Sequence, residues 1–389
     1  MPPIKDHINR AVSLLKPIER ANRTFWHWLL DKVWHNMPLE RPLDPRSIRR
    51  VLFLRYDAIG DMLTTLPTIA LLKRLNPAME IDVMASERNR SVIEHDPNIS
   101  RILPLRDRPD LFIQDIRTAR ANGYDVIFCC IFAKATKIGI IANMIGGDRA
   151  VKTTVWRGEK YGRFFNVQSK SAQSAPSMWD KMINILPDTF DHELRPEDIR
   201  PYVAIDESSR RAAREGVKSI GMEGRKYIAV NLTSVRDRNR WTSGGYIALI
   251  AAALDHDPTL GVILLWMGAA DRALAGEIAE ATELQERFRG RIGVYPPTRN
   301  VLEIVAVVEG SHAVFSPDTG VVHMASATRR PVMSLHVAGT RSITEWRPYG
   351  VPYRALQSAF SNQPVSEIPA GRVIAEFIAL LEQIVGKGT

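Results

Sequence analysis

Cysteine is nearly absent: the 389 residues hold two, Cys129 and Cys130, side by side. Neighbouring cysteines rarely bridge each other, and one pair is no disulfide framework. No metal-ligand spacing accompanies them, so they read as buried thiols on a strand in a reducing compartment. Long apolar runs are missing too. The longest, Leu260 to Ala270, falls short of the roughly 20 residues that span a bilayer and suits a buried strand. Glycine and proline, 24 of each, follow no short period, which excludes a collagen-like or low-complexity chain. With 45% apolar residues, the chain is too rich in core-forming side chains to be disordered. The N-terminus lacks the basic, apolar and small-residue order of a signal peptide, so the cytoplasm is the expected compartment. At roughly 150 residues per domain, the length suggests two or three domains.

Acidic residues are in deficit, 43 against 52 Lys and Arg, a formal charge of +9. Such an excess implies anionic partners, whether nucleic acid, acidic lipid or a phosphorylated substrate, and does not choose among them. The imbalance is sharpest in residues 1–50, with ten Lys or Arg against five Asp or Glu. There Phe25, Trp26, Leu29, Leu30, Val33 and Trp34 follow helical spacing. Two readings compete. A basic, Trp-rich amphipathic helix lies well in a membrane interface. The other reading is a helix packed on the main body, followed by the Pro-rich linker Met37 to Arg46.

From Val51 onward, short apolar runs alternate with helical patterns. Val51–Leu54, Ile81–Met84 and Val126–Ile131 read as buried strands, and Thr68–Leu75 and Ile138–Met144 as helices. This alternation predicts a parallel sheet covered by helices on both faces. Residues 151–220 are polar and less clear, apart from a helix near Glu207–Val217. A second series follows, with strands at Tyr227–Asn231, Val262–Met267, Ala313–Phe315 and Val332–His336. The spacing therefore predicts an extension over 1–50, one Rossmann-like domain over 51–220 and another over 221–365. An amphipathic helix over 366–389 is expected to pack back on the first domain. Ligands of such sheets sit beyond the carboxyl ends of the strands, so the cleft between the halves is the natural site.

Three loops could carry chemistry. Arg55-Tyr56-Asp57-Ala58-Ile59-Gly60-Asp61-Met62 directly follows the first strand. Gly60 suits a tight strand-to-helix turn, and Asp61 falls at a helix start, either as a cap or pointing into the cleft. The run is not G-x-G-x-x-G, so the dinucleotide fingerprint is absent. Ser316-Pro317-Asp318-Thr319-Gly320-Val321-Val322-His323 follows another strand and opens a helix, a ready anion site. His323, one turn on, could face the same point. The third loop, Asn231-Leu232-Thr233-Ser234, leads to Arg236-Asp237-Arg238-Asn239-Arg240-Trp241. Its hydroxyl and guanidinium groups could hold phosphate, or the charges could simply be solvated. Asp255-His256-Asp257 imitates an Asp-x-Asp metal motif, but it ends a helix before Pro258 and reads as a solvated helix end.

These residues carry a family resemblance. The run Val51 to Pro67 resembles the opening strand and loop of glycosyltransferase family 9, the ADP-heptose:lipopolysaccharide heptosyltransferases. Asp318-Thr319-Gly320 with His323 and Ala325 is similar to that family's donor motif. Lys134, Arg240-Trp241, Met267-Gly268 and Trp346-Arg347-Pro348-Tyr349-Gly350 fall in the family's order. The resemblance spans about Val51 to Gly350 and leaves residues 1–50 unexplained.

The resemblance implies an α/β chain with the GT-B fold, two Rossmann-like parallel-sheet domains facing across a cleft. It implies an inverting transferase without metal or resident cofactor, using ADP-heptose as co-substrate. The implied acceptor is the lipopolysaccharide inner core, an acidic glycolipid at the cytoplasmic membrane face, which would make peripheral membrane contact part of the function. Asp61 matches the family's catalytic base. Ser234, Asn239, Arg240, Asp271, Asp318, Thr319, Gly320 and His323 fall on the donor side, Ser234 as a phosphate contact and Asp271 as a ribose carboxylate. Arg55, Gly60 and Lys134 fall on the acceptor side. Asn239 departs from the pattern, because the family often has Lys there; a flanking arginine could replace it. Three alternatives stay open: another donor or acceptor within the family, a relative that binds nucleotide sugar without catalysis, and a sugar-nucleotide epimerase on the same fold. Nucleic acid is not an expected partner, since the arginines are scattered and no aromatic platform interleaves them.

Overall fold

The computed structural model describes residues 33–34, 36–132, 135–234, 236–339 and 342–385. Most of the aromatic stripe over 25–34 therefore lies outside the described residues, as does Lys134. Twelve strands form two six-stranded sheets, parallel throughout. The first holds β1 (Arg50–Leu54), β2 (Glu80–Ala85), β3 (Arg101–Pro104), β4 (Val126–Cys129), β5 (Val151–Val155) and β6 (Val167–Ser169). The second holds β7 (Tyr227–Asn231), β8 (Gly261–Leu265), β9 (Ile292–Val294), β10 (Ala313–Pro317), β11 (Val332–His336) and β12 (Tyr353–Gln357).

The strand orders are β3-β2-β1-β4-β5-β6 and β12-β11-β10-β7-β8-β9. Renumbered within its own half, the second order is the first read backwards, so both halves are doubly wound in the dinucleotide-fold order. That order reverses between β1 and β4 and again between β7 and β10. A cleft opens at each reversal, beyond the carboxyl ends of the strands. The loops that start at Arg55, Ser234 and Asp318 all leave from these points.

The central strands are buried along most of their length, with Val51–Leu54, Ile228–Val230 and Ala313–Phe315 fully enclosed. Burial on both faces is why they read as unbroken apolar runs rather than alternating ones. The Ile59–Leu75 helix is buried nearly all round, from Met62 to Ile69 without a break. It is sandwiched between its own sheet and the Gly320–Ala327 helix of the other half. One apolar cluster accordingly runs through the interface, joining Phe53, Leu63 and Trp179 to Val305, Val321 and Met324.

The C-terminal Ala370–Val385 helix does not return to the first half. Its apolar stripe, Val373, Phe377, Leu380 and Leu381, packs with Tyr246, Leu249 and Phe315 of the second half. β12 leads into it only a short loop away, and the Ser243–His256 helix offers the matching apolar face. The segment before β1 is tied to the first half. Asn36 Nδ2 donates to Asn143 Oδ1 at 2.7 Å, Lys152 Nζ donates to Asn36 Oδ1 at 2.7 Å, and Trp34 meets Phe164 edge-on. Cys129 and Cys130 are buried free thiols at the end of β4, and burial pushes Cys130 up to about 12. No helix among the described residues is long and apolar enough to cross a membrane.

Candidate active site

Two helix N-termini meet head to head between the halves. A Cβ placed on Gly60 would lie 2.7 Å from His323 Cδ2, and one placed on Gly320 would lie 3.6 Å from the Gly60 nitrogen. Gly60 is therefore small because the opposite helix leaves it no room, and not because the turn needs a left-handed residue; its φ is not among the positive ones. Both helices aim the positive ends of their dipoles at the same space, which favours an anion there.

Two cavities open on either side of this meeting point. The first, about 400 Å³, is bounded by Asp61, Asp318, Thr319, Gly320, His323, Arg236, Arg238 and Asn239. The second, about 380 Å³, is bounded by Arg55, Asp57, Asp61, Phe132, Arg157 and Lys181 of the first half. Asp61, Glu345 and Trp346 border both, so they form the seam through which one cavity reaches the other.

Asp61 is the third residue of its helix, and Ala58 is the cap position. Its side chain retains 20% exposure and pairs with Arg55 Nη2 at 3.2 Å. Burial pushes the carboxyl up to about 7; Arg55 and the Ala58 amide draw it down, and Asp57 adds repulsion. A carboxylate with that proton affinity is matched to taking up a proton near neutrality.

Arg55 edges the second cavity but bonds chiefly to the protein itself. The sequence places it on the acceptor side; there its guanidinium is 1% exposed and faces protein acceptors and two carboxylates. Nε donates to the Asp61 carbonyl at 2.9 Å, Nη1 to the Cys130 carbonyl and to Asp57 Oδ2 at 3.4 Å, and Nη2 to Thr64 Oγ1 at 3.3 Å, while Nη2 also forms the ion pair with the Asp61 carboxylate. It edges the second cavity as a clamp that fixes the loop and both carboxylates. Gly60, also expected on the acceptor side, borders the first cavity instead.

On the opposite loop, Thr319 caps the Gly320–Ala327 helix and accepts from Asn231 Nδ2 at 3.1 Å. Asp318 lies beside the buried His336, Oδ2 to Nδ1 3.7 Å. His323 is enclosed between Trp346 and Trp179, with ring centroids 5.6 and 5.8 Å away. Burial lowers its pKa to about 4, so it is neutral at physiological pH and supplies no positive charge. Its Nδ1 is buried without a hydrogen-bond partner.

Three residues expected on the donor side turn away. The Ser234 hydroxyl donates to the Arg236 carbonyl at 2.7 Å and folds into its own loop. Arg240 and Asp271 pair with each other, Asp271 almost fully buried, and neither borders the cavity. A guanidinium near a buried carboxylate satisfies it locally, which leaves neither free for a nucleotide. The short Asp237–Asn239 turn sets this pattern, since it directs Arg236, Arg238 and Asn239 inward and sends Arg240 out. The cations that border the first cavity are thus Arg236 and Arg238. The alternating Arg236-Asp237-Arg238-Asn239-Arg240 run signals that some arginine faces in, and only the turn decides which. Asp57, Arg157, Lys181 and Glu345 also belong to the site, and only the first sits within a recognisable loop motif. Asp255 and Asp257 of the Asp-His-Asp run are far from it, paired with Arg287 at 2.6 Å and Lys226 at 3.2 Å.

The family model described as glycosyltransferase family 9 (heptosyltransferase) matches residues 117–370, a span that holds the second-half loops and begins downstream of Asp61. Lipopolysaccharide heptosyltransferase 1 of Campylobacter coli is 17% identical over 294 residues, covering 74% of this chain and 83% of that protein. Lipopolysaccharide heptosyltransferase 3 of Escherichia coli K12 is 22% identical over 309 residues, covering 76% and 83%. Among solved structures, a family 9 glycosyltransferase from Veillonella parvula superposes with a TM-score of 0.70 at 17% identity, covering 86% of this chain and 97% of its own. The E. coli ADP-heptose heptosyltransferase II superposes at 0.66 and 20% identity, covering 86% and 99%. These likenesses give the architecture as GT-B. With the family model spanning well over half of its length, the chain belongs to glycosyltransferase family 9, the heptosyltransferase family, and is a glycosyltransferase.

Proposed function

We propose that this glycosyltransferase moves a heptose from ADP-heptose to an acidic inner-core acceptor of lipopolysaccharide in a single inverting displacement without a metal ion. The observation that carries the reading is the placement of Asp61 on the seam between two cavities of different character. A direct displacement needs an acceptor hydroxyl on one side of a base and an anomeric carbon within its reach on the other. Asp61 serves both spaces. As the acceptor oxygen bonds to the anomeric carbon, its proton passes to Asp61, and the bonding pair of the old C–O bond leaves with ADP.

The first cavity suits the leaving group. The N-terminus of the Gly320–Ala327 helix, Arg236 and Arg238 oppose the charge that gathers on the diphosphate. The second cavity suits an anionic acceptor, with Arg157 and Lys181 on its walls. The names of the relatives supply the sugar and the acceptor class. The net charge of +9 fits work in the cytoplasm at the inner face of the membrane, against an anionic glycolipid.

The test is transfer from ADP-heptose to a truncated inner-core acceptor, with calorimetry of ADP binding in parallel. Asp61→Asn should lower kcat about 10²–10⁴-fold and leave ADP affinity close to wild type. In the wild type, the rate should rise with pH as Asp61 loses its proton and level off above about 7. Turnover of Asp61→Asn at the wild-type rate would overturn the assignment of the base. A thermal shift produced by UDP sugars and not by ADP sugars would overturn the donor.

A further inference from the structure

Asp57 precedes Asp61 by one helical turn's worth of chain and borders the same acceptor-side cavity. Both carboxylates sit on one buried guanidinium, Asp57 Oδ2 3.4 Å from Arg55 Nη1 and Asp61 Oδ1 3.2 Å from Arg55 Nη2. The two carboxylates thus share one counter-charge, and Asp57 is among the groups that raise the Asp61 carboxyl. Asp57 Oδ1 is buried and, among the described residues, has no hydrogen-bond partner. A buried carboxylate oxygen beside a second carboxylate is stable when a proton lies between them, because two like charges at that distance do not both ionise readily.

We infer that Asp57 is a positioning residue that shares one proton with Asp61 and thereby sets the strength of the catalytic base. The inference rests on the reading of Asp61 as the base. With the shared proton in place, the pair carries one negative charge and Asp61 is blocked. Once that proton leaves to solvent, Asp61 is free to take the proton of the acceptor hydroxyl, and the repulsion from Asp57 makes it a stronger base than Arg55 alone would allow.

The remaining neighbours do not set this balance. Lys181 and Glu345 face the cavity as an ion pair, so their charges largely cancel. Arg157 stacks over Phe132 on the same cavity's wall. Cys130 and Tyr56, which flank Arg55, are pushed up by burial and stay neutral. On the donor side His323 is held neutral, and Asp318, Arg236 and Arg238 border the other cavity. Arg55 pulling down and Asp57 pushing up are the charged groups that act on Asp61 directly.

The experiment titrates the carboxyl carbons of ¹³C-aspartate-labelled full-length protein by NMR, alongside the pH dependence of kcat/KM. In Asp57→Asn, the Asp61 midpoint should fall by about one pH unit or more. The acid limb of the rate profile should move with it, and the plateau rate should drop because the base is weaker. Asp57→Glu, which keeps the charge, should restore both. A merely structural role for Asp57 would lower the rate without moving either midpoint, and an unmoved NMR midpoint overturns the shared proton. If the NMR midpoint moves and the rate profile does not, the carboxylate pair stands and Asp61 is not the base. The two failures are thereby distinguished.

Discussion

Ionising Asp61 costs the folded chain stability, and that cost has a sign. Its folded pKa, about 7, lies above the ordinary carboxylate value of 3.8. Between those values the folded chain binds more proton than the unfolded chain, so stability falls as pH rises through that window and stays lower above it. Asp61→Asn keeps an acceptor for Arg55 and removes the buried charge. The variant should therefore gain on the wild type as pH rises, with little difference near pH 4 and an advantage on the order of 1–3 kcal/mol at pH 8. Thermal unfolding at both pH values checks this; an advantage that shrinks toward pH 8 would contradict it. Such a gain with loss of turnover is what a strained functional residue produces. At this scale the sequence was informative about residue types and poor about direction. Asp61, Asp318, Thr319 and Gly320 border the cavity as their loops suggest. Ser234, Arg240 and Asp271 have the right chemistry and turn away from the cavity, because each found a partner within the protein first. Pairing between side chains far apart in sequence, such as Arg240 with Asp271, leaves no local signal.

The contact between the Ile59–Leu75 and Gly320–Ala327 helices makes Gly60 a sensitive position at the scale of elements. Gly60→Ala would put a methyl group 2.7 Å from an imidazole that two tryptophans already enclose. The ring has nowhere to go, so the helices must part. The expected cost is about 1–3 kcal/mol, with weaker ADP binding because Gly320 and His323 border the donor cavity. Gly244 and Gly276 serve as contrasts. Both are helical with open space around the missing Cβ, and alanine at either should stabilise by about 0.4–1 kcal/mol. Melting temperatures of the three variants, with ADP calorimetry for the first, decide the matter. The buried central strands are plain in the sequence, since burial on both faces leaves unbroken Val, Ile and Leu runs. The strands away from the centre are not, even where they lie inside the sheet as β5 does between β4 and β6. β5 reads Val-Lys-Thr-Thr-Val, as polar as a loop, yet it is buried along most of its length. Its polar groups are answered from outside the strand, Thr154 Oγ1 by the Cys129 carbonyl at 3.1 Å and Lys152 by Asn36. Period and composition do not reveal a partner more than a hundred residues away.

The division into two doubly wound halves is visible in the alternating pattern, and with it the location of a cleft, because strand order dictates where loops converge. How the halves are fastened across that cleft was not visible. The Met178–Asn184 helix falls in the polar region that periodicity leaves unresolved, and it carries the contacts: Lys181 pairs with Glu345, Asp180 lies 3.5 Å from Arg347, and Trp179 packs on His323 and Tyr349. Glu345 borders both cavities, so its partner matters for more than fastening. With Lys181 present, the carboxylate is neutralised where two anionic substrates are proposed to meet. Lys181→Ala would leave Glu345, about one-fifth exposed, without its cation on the wall of the proposed donor cavity. Removing one partner of such a pair costs more than removing both. Affinity for ADP should fall about 5- to 10-fold in Lys181→Ala, equivalent to roughly 1 kcal/mol or slightly more. The double variant Lys181→Ala/Glu345→Gln should recover most of that loss. Calorimetric titration of ADP into the single and double variants gives the coupling between the two residues directly. Additive losses would mean that the pair only fastens the halves, whereas recovery in the double variant would mean that the fastening also keeps stray negative charge away from the substrates.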